Sequence, residues 1–396
     1  MASAVSQVVA VTALNLGNMR ERLASSIVAL VGIAGVVMVL IGVLAIGEGF
    51  RAVLDRAGSP DVAIVLRGGA TDEMGSNLSQ EQTRLIADAK DIMRDADGAI
   101  ASPELYVVVD VPMRSTGTAA NVPLRGVSTN ANKLRQGFHI VEGRHFTPGK
   151  FEVIVGQGAA QQFAGLQVGN RLRWGTTEWT VTGIFADRGS VAESEIWTDA
   201  TMLQGAYNRG STYQSMRVKL TGANAMQAFK DSLTSDPRLN VKVFSEKQFY
   251  EEQSKILTTL VRSIGTAIAV LMGLGAVFAA LNTMYSAVAA RTREIATLRA
   301  LGFGSGPVVV SVLAEALLLG LVGGAVGMLV AYFAFNGMRA STMNFATFSQ
   351  ITFAFTVTPA LLVQALIYAL ALGLIGGLLP SVRAARLPIT TGLREL

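Results

Sequence analysis

The chain has 396 residues, 51% of them hydrophobic and only 15% charged, with 41 glycines, no cysteine and a formal net charge of +5. A soluble domain carries about 25% charged residues; collagen, disulfide scaffolds, thiolate zinc sites and intrinsic disorder are excluded as well. What remains is a membrane protein with room for one sizeable water-soluble domain.

In chain order, a partly amphipathic leader (1–22) precedes a 25-residue uncharged run from Leu23 to Gly47. A signal-peptide core runs about 7–15 residues, so this run is expected to be an uncleaved anchor and the first membrane span (23–47). Residues 48–260 have ordinary charge and form the soluble domain. Its two ends repeat one pattern. Asp61 to Leu66 reads as a strand, a helix follows from Ser79 with a capping box to Gln82, and Tyr106 to Met113 is a second strand. Near the other end, Met216 to Leu220, a helix with Met226, Phe229 and Leu233, and Val241 to Phe244 repeat that order. Two β-α-β units predict a split β-α-β sandwich, and the glycine-rich, alternating insert between them, about 130–197, predicts a β-rich subdomain. Ser245 and Gln248 cap a helix that runs without Gly or Pro into the second span (261–290). About 45 residues at 1.5 Å each rise about 65 Å, which predicts a stalk projecting from the bilayer. A cytoplasmic helix (291–306), a third span (307–337), a short outer loop (338–356), a fourth span (357–382) and a tail (383–396) complete the chain. The fold class is therefore an α-helical membrane protein with four transmembrane helices and a large α+β outer domain.

Charge sets the orientation. Residues 48–255 hold 23 basic and 24 acidic side chains. The leader, the 291–307 loop and the tail hold Arg20, Arg22, Arg291, Arg293, Arg299, Arg383, Arg386 and Arg394 against Glu21, Glu294 and Glu395. Positive residues near span ends stay in the cytoplasm, so both termini are expected inside and the large domain outside. The basic balance is a topology signal and calls for no nucleic-acid partner.

Chemistry is scarce, and no catalytic, cofactor or metal site is expected. No Gly-x-x-x-x-Gly-Lys-Ser/Thr phosphate loop and no Gly-x-Ser-x-Gly elbow occur. Gly156-Gln157-Gly158 lacks the last glycine of a dinucleotide fingerprint, Gln161 standing in its place, and reads as a turn after a strand. His139 and His145 have no third ligand at a suitable spacing and read as surface residues. Glu315 is the one carboxylate inside a span, either paired with a base such as Arg299 or part of energy coupling. Gly320, Gly323, Gly324 and Gly327 place small residues on one side of the same span.

The run Arg291 to Gly302, R-T-R-E-I-A-T-L-R-A-L-G, would place Ile295, Leu298 and Leu301 on one face of a basic helix with Arg291, Glu294 and Arg299 beside it. It resembles the R-x-R-E-I-x-x-L-R-A-L-G segment of permeases of the FtsX/MacB family, followed in them by a glutamate and a glycine-rich span. Leu379 to Arg394, ending in Gly392-Leu393-Arg394, is similar to the family's C-terminal pattern. Leu124 to Val127 (L-R-G-V), Glu142 to Thr147, Val168 to Leu172 and Val181 to Phe185 follow the family's periplasmic domain in order. The resemblance implies an ABC transporter permease of the bacterial inner membrane, with Arg291, Glu294, Ile295, Leu298, Arg299 and Leu301 as a coupling helix seated on a separate ATPase subunit. It further implies a porter subdomain with a β-rich insert and a homodimer or a pairing with a related permease. A periplasmic adaptor, an outer-membrane channel and membrane lipids complete the implied partners. The work implied is export or extraction of a substrate; an FtsX-like regulator of cell-wall hydrolases is the alternative, which the sizeable two-part outer domain disfavours.

Overall fold

The computed structural model describes residues 4–17, 23–135, 137–344, 349–386 and 388. Arg20, Glu21, Arg22 and the Gly392-Leu393-Arg394 ending lie outside the described residues. The first half of the chain contains α1 (Ala4–Gly17), α2 (Leu23–Ala57), β1 (Val62–Arg67), α3 (Gln80–Ala87), β2 (Ala101–Pro112), β3 (Ala119–Val127), β4 (Phe138–Gly143), β5 (Glu152–Gly156) and α4 (Gln157–Gln162). There follow β6 (Arg171–Trp174), β7 (Thr177–Asp187), β8 (Ile196–Asp199), α5 (Ala200–Ala206), β9 (Ser215–Lys219), α6 (Met226–Thr234) and β10 (Val241–Ser245). The last third comprises α7 (Glu246–Ala289), α8 (Thr292–Ala300), α9 (Ser305–Phe335), β11 (Arg339–Asn344), β12 (Ser349–Ala354) and α10 (Pro359–Arg386). The chain divides into an α/β unit, Gly49–Thr259 with Arg339–Ala354, and a helical unit made from the rest.

In the α/β unit ten strands form one sheet in the order β10-β1-β9-β2-β3-β8-β5-β7-β4, with β6 paired to β7. The first four strands, all antiparallel, and helices α3 and α6 make the split β-α-β lobe. Ser79 and Gln82 form the full capping box that starts α3, and Ile86, Phe229 and Leu233 bury against Val65, Val218 and Val243. The second lobe starts earlier than residue 130. Residues 101–104 of β2 pair with β9, whereas 105–112 pair with β3. From that switch onward Leu105, Val107 and Val109 enter a second core with Leu124, Val155, Trp179, Ile196 and Leu203. Strand propensity marks β2 but cannot show that one strand serves two lobes.

The segment expected as a short loop between the third and fourth spans is a second difference. It is a hairpin, β11 and β12, that adds to the α/β unit. The Thr352 N–H donates to Ser194 Oγ at 2.9 Å, and Gln162 Nε2 donates to Ser341 Oγ at 3.3 Å. Ile351 and Phe353 are buried, and Phe353 meets the edge of Phe50.

Among the described residues, four helices are long and apolar enough to cross a membrane, over Ser26–Val53, Thr259–Ala289, Ser305–Phe335 and Pro359–Arg386. α1 lies along α9; Val11 is buried while Val9 is exposed, and Ser311 Oγ donates to the Val11 carbonyl at 3.4 Å. The glycines of α9 do not share one side. A Cβ on Gly320 would sit 2.9 Å from the Ala369 carbonyl oxygen of α10, and one on Gly327 only 2.5 Å from that of Ala34 on α2. Two neighbouring glycine faces thus let α9 touch two helix backbones at once, the close approach that replaces hydrophobic driving force within lipid.

Gly327→Val should overpack the contact with α2 by about 1–3 kcal/mol or more, whereas Gly275→Ala, where a Cβ meets nothing within 4 Å, should not lower stability. Thermal unfolding of the full chain in detergent checks this; equal midpoints would contradict the packing argument.

Candidate functional site

α8 begins after a break at Ala290 and Arg291 that turns the chain out of α7. It ends because Gly302 adopts φ +95°, which lets Phe303 N–H reach the Leu298 carbonyl and Gly302 N–H reach that of Arg299, both at 3.1 Å. That pair of bonds is a Schellman stop, for which glycine has no Cβ penalty. The six expected coupling residues do not share a surface. Ile295 is buried in the helical unit's own core with Met284, Val288, Val308 and Val312. Arg291, expected beside the apolar face of the coupling helix, is also buried, and its Nη1 donates to Glu315 Oε2 at 3.1 Å. The intramembrane carboxylate therefore pairs with Arg291 rather than Arg299. Glu294 approaches Arg291 Nε at 3.5 Å from the exposed side. Leu301 is 73% exposed, Leu298 and Arg299 are partly exposed, and Arg293 and Thr297 face outward. A cavity of about 590 Å³ opens between α1, α8 and α9, lined by Val11, Arg293, Leu298, Val308 and Ser311.

The other chemical concentration, unforeseen from sequence, lies in the α/β unit. Arg125, Arg217 and Arg135 meet Glu73, Glu104, Glu195 and Glu246 under burial so complete that Arg217 and Glu104 have no exposed surface. Arg125 grips Glu195 with Nε and Nη2 at 2.8 Å each and Glu73 with Nη1 and Nη2 at 2.7 and 2.9 Å. Its Nη1 also donates to Glu104 at 3.0 Å, and its guanidinium covers the Tyr106 ring at 4.9 Å. Arg217 Nε donates to Glu104 at 2.9 Å and its Nη1 to Glu246 at 2.5 Å. Arg135 adds a bond to Glu104 at 3.0 Å and lies over Trp197, whose Nε1 donates to Glu195 at 2.7 Å.

Register explains the assembly. Arg217 stands opposite Ser102, Glu104 opposite Ser215, and Tyr106 opposite Arg125, which in turn faces Trp197. Period-2 alternation therefore aims all of these to one face of four consecutive strands, β9-β2-β3-β8. Burial pushes the Glu73 carboxyl up, but Arg125 and Arg217 outweigh it and hold the group well below the usual carboxylate range. Burial acts on Glu104 likewise, and Arg135, Arg217 and Arg125 bring it down to about 2. Glu246 goes the other way: desolvation raises it, and Arg217 offsets this only in part. The sequence signal was an arginine in mid-strand in L-R-G-V and S-M-R-V, read without its partners.

Elsewhere the chemistry is slight. Gly156-Gln157-Gly158 opens the short α4, with Gly156 as its N-cap. His139 and His145 each place Nδ1 near a backbone carbonyl, of Gly137 and Phe146. Among the described residues no group of three His, Cys, Asp or Glu could hold a metal ion.

Four membrane-capable helices and a two-lobed α/β unit define a membrane protein built around a large extramembrane domain. The MacB-like periplasmic core domain profile matches residues 26–236, and the FtsX-like permease C-terminal profile matches 266–389. The chain belongs to the MacB/FtsX-like family of ABC permeases. It is similar to the macrolide export ATP-binding/permease proteins MacB of Hahella chejuensis, 26% identical over 93% of this chain and 58% of the relative, and of Chromobacterium violaceum, 28% identical over 92% and 57%. It thus spans less than two thirds of these relatives' length. The solved periplasmic region of MacB from Actinobacillus actinomycetemcomitans aligns with a TM-score of 0.38 at 13% identity, over 50% of this chain and 95% of that one.

Arg125→Met strands Glu73 and Glu195 and should destabilise the α/β unit by about 3–5 kcal/mol, read as a fall in unfolding midpoint of the full chain at pH 7. Glu73 and Glu104 have folded pKa values below their ordinary 4.5, so the stability they contribute is present above that pH and is lost as pH falls toward 2. An acid-unfolding profile that is flat below pH 4.5 would contradict the assignment.

Proposed function

We propose that the chain is the permease subunit of an ABC transporter that carries ATP-driven motion from a separate cytoplasmic ATPase to the α/β unit on the outer side of the inner membrane. Movement of that unit drives export or extraction of a substrate there. The observation that carries the reading is the continuity of α7. It is one helix of 44 residues that starts in the α/β unit, contains a membrane-capable segment and is followed at once by α8. A helix transmits displacement along its axis when no Gly or Pro interrupts its outer part, and none does from Ser245 to Ile264. Burial of Ile295 and the Arg291–Glu315 pair fix α8 to the helical unit, so force on its outward residues is passed on rather than absorbed. Leu298 and Leu301, flanked by Arg293 and Glu294, supply an apolar centre with a charged rim, the composition of a helix-in-groove contact.

Macrolide export is the named activity of the relatives, and drug-like export is the corresponding reading for this chain. Both termini are cytoplasmic in this reading, because Arg291, Arg293 and Arg299 of the α8 segment and Arg383 and Arg386 in the last turn of α10 lie at span ends. The working particle is a dimer with a second permease chain, and an adaptor and outer-membrane channel extend it across the envelope. The two-lobed outer unit supports transport over an FtsX-like regulatory role.

Single cysteines at the exposed Thr116 or Ser211 of this cysteine-free chain should react with an impermeant thiol reagent from outside, and one at Ser305 should not. The reverse pattern would invert the topology. Leu298→Asp would bury an unpaired charge in the partner's groove, at a cost of several kcal/mol, and should abolish co-purification of the ATPase. Arg293→Ala, a rim charge, should do less. A Leu298→Asp chain that inserts, retains its ATPase and supports full transport would remove α8 from the mechanism.

A further inference from the structure

The buried ionic cluster does not stop at the sheet. Glu246 is the first residue of α7, and its two carboxyl oxygens face different parts of the chain. Oε2 accepts from the Ser59 N–H at 3.3 Å, two residues after α2 ends, and Oε1 accepts from Arg217 Nη1. Ser59 is itself turned by its hydroxyl, which donates to Asp61. The two backbones touch at this point, since a Cβ on Gly58 would lie 2.7 Å from Lys247 Cα. One turn further along α7, the Tyr250 hydroxyl is 3.4 Å from Arg217 Nη2, and its ring lies under that guanidinium at 5.9 Å. From Arg217 the contacts pass to Glu104, where β2 leaves one lobe for the other, then to Arg125 in β3 and Glu195 ahead of β8.

We propose that the Glu246 carboxyl group is the mechanical joint of the α/β unit, clasping the end of α2 to the start of α7 and delivering their displacement through Arg217 and Glu104 to both lobes. Three features set this apart from an ordinary core contact. The clasp joins the two chain segments that connect this unit to the membrane-capable helices α2 and α7. It is made of side-chain hydrogen bonds that have direction, where apolar packing would permit sliding. It also leads into an unbroken run of charge-assisted bonds across four strands, which keeps its geometry under load. Glu246 and Arg217 are positioning residues: neither is placed against a substrate.

The idea deepens the reading that stalk motion does the work, and the test separates the two. Hydrogen exchange is measured on the full chain in lipid nanodiscs, as wild type, Glu246→Ala and Glu246→Gln. Glu246→Ala should speed exchange at Ser59 and through the first two turns of α7 by about tenfold or more, the scale for losing a hydrogen bond to a charged group. Amides of Leu105 to Val111 should stay protected. Glu246→Gln, which keeps an acceptor for Arg217 or Ser59, should recover most of the protection. No change at Ser59 in Glu246→Ala would overturn the clasp, and so would uniform loss of protection through both lobes, which is the signature of a merely structural residue. A second arm uses cells expressing the chain with its ATPase. Glu246→Ala should retain the ATPase but lose transport, and an oxidised cysteine pair at Gly58 and Lys247 in the same chain should restore it. Protected exchange together with unaffected transport in Glu246→Ala would refute the joint outright. If instead the exchange result holds while Leu298→Asp supports full transport, the clasp stands and the coupling reading fails.

Discussion

Arg125 and Arg217 are buried on the inner side of a sheet whose other face is already an apolar core, and the α/β unit is organised around keeping them there. An uncompensated guanidinium at such a place would cost many kcal/mol, so every element near the two arginines must deliver a carboxylate in the right position. The loop after β1 brings Glu73, β2 brings Glu104, the turn before β8 brings Glu195, and α7 brings Glu246. Hydrophobic packing alone would hold two lobes together at many similar angles. Bidentate pairs fix direction as well as distance, and here they run across the place where β2 exchanges one partner strand for another.

The helical unit meets a related problem with smaller means. Its interior holds one described ion pair, Arg291 with Glu315, and both side chains are almost fully buried. That pair and Ile295 fasten the first turn of α8, while the Schellman stop at Gly302 ends the helix before it can run into α9. Around them α9 packs against α2 and α10 through glycine faces that bring backbones together. Attachment at one side of α8, with polar and apolar residues open on the other, suits the ATPase contact proposed above. The hydrogen bonds at the start of α7 suit the proposed joint in the α/β unit.

A good part of this was legible from residue pattern. Four apolar runs with at most one charge each had the length of a bilayer crossing. The absence of Gly and Pro between Ser245 and Ile264 required one long helix, because nothing in the run stops it. Helical and strand periods in 61–113 and 216–244 marked two β-α-β units, since alternation and capping are local properties.

Partnership was not local, and only the tertiary structure decided it. The alternation of Met216, Arg217 and Val218, or of Leu124 and Arg125, is the pattern of a strand with one face in solvent; here the charged face is covered by α7, Arg135 and the Glu73 loop, so the same pattern is buried on both sides. Residues 338–356 carried too little periodicity to announce a hairpin, and β11 and β12 owe their place to Ser194 and Gln162, more than a hundred residues away. Arg291 and Glu315, 24 positions apart, could be seen as charges but not as a pair until α7 turned into α8. The sequence by itself determined which segments are helix, strand and span, because those depend on neighbours a few residues apart. Which charge answers which, and hence where the molecule is rigid, depended on contacts between distant segments that only the folded chain makes.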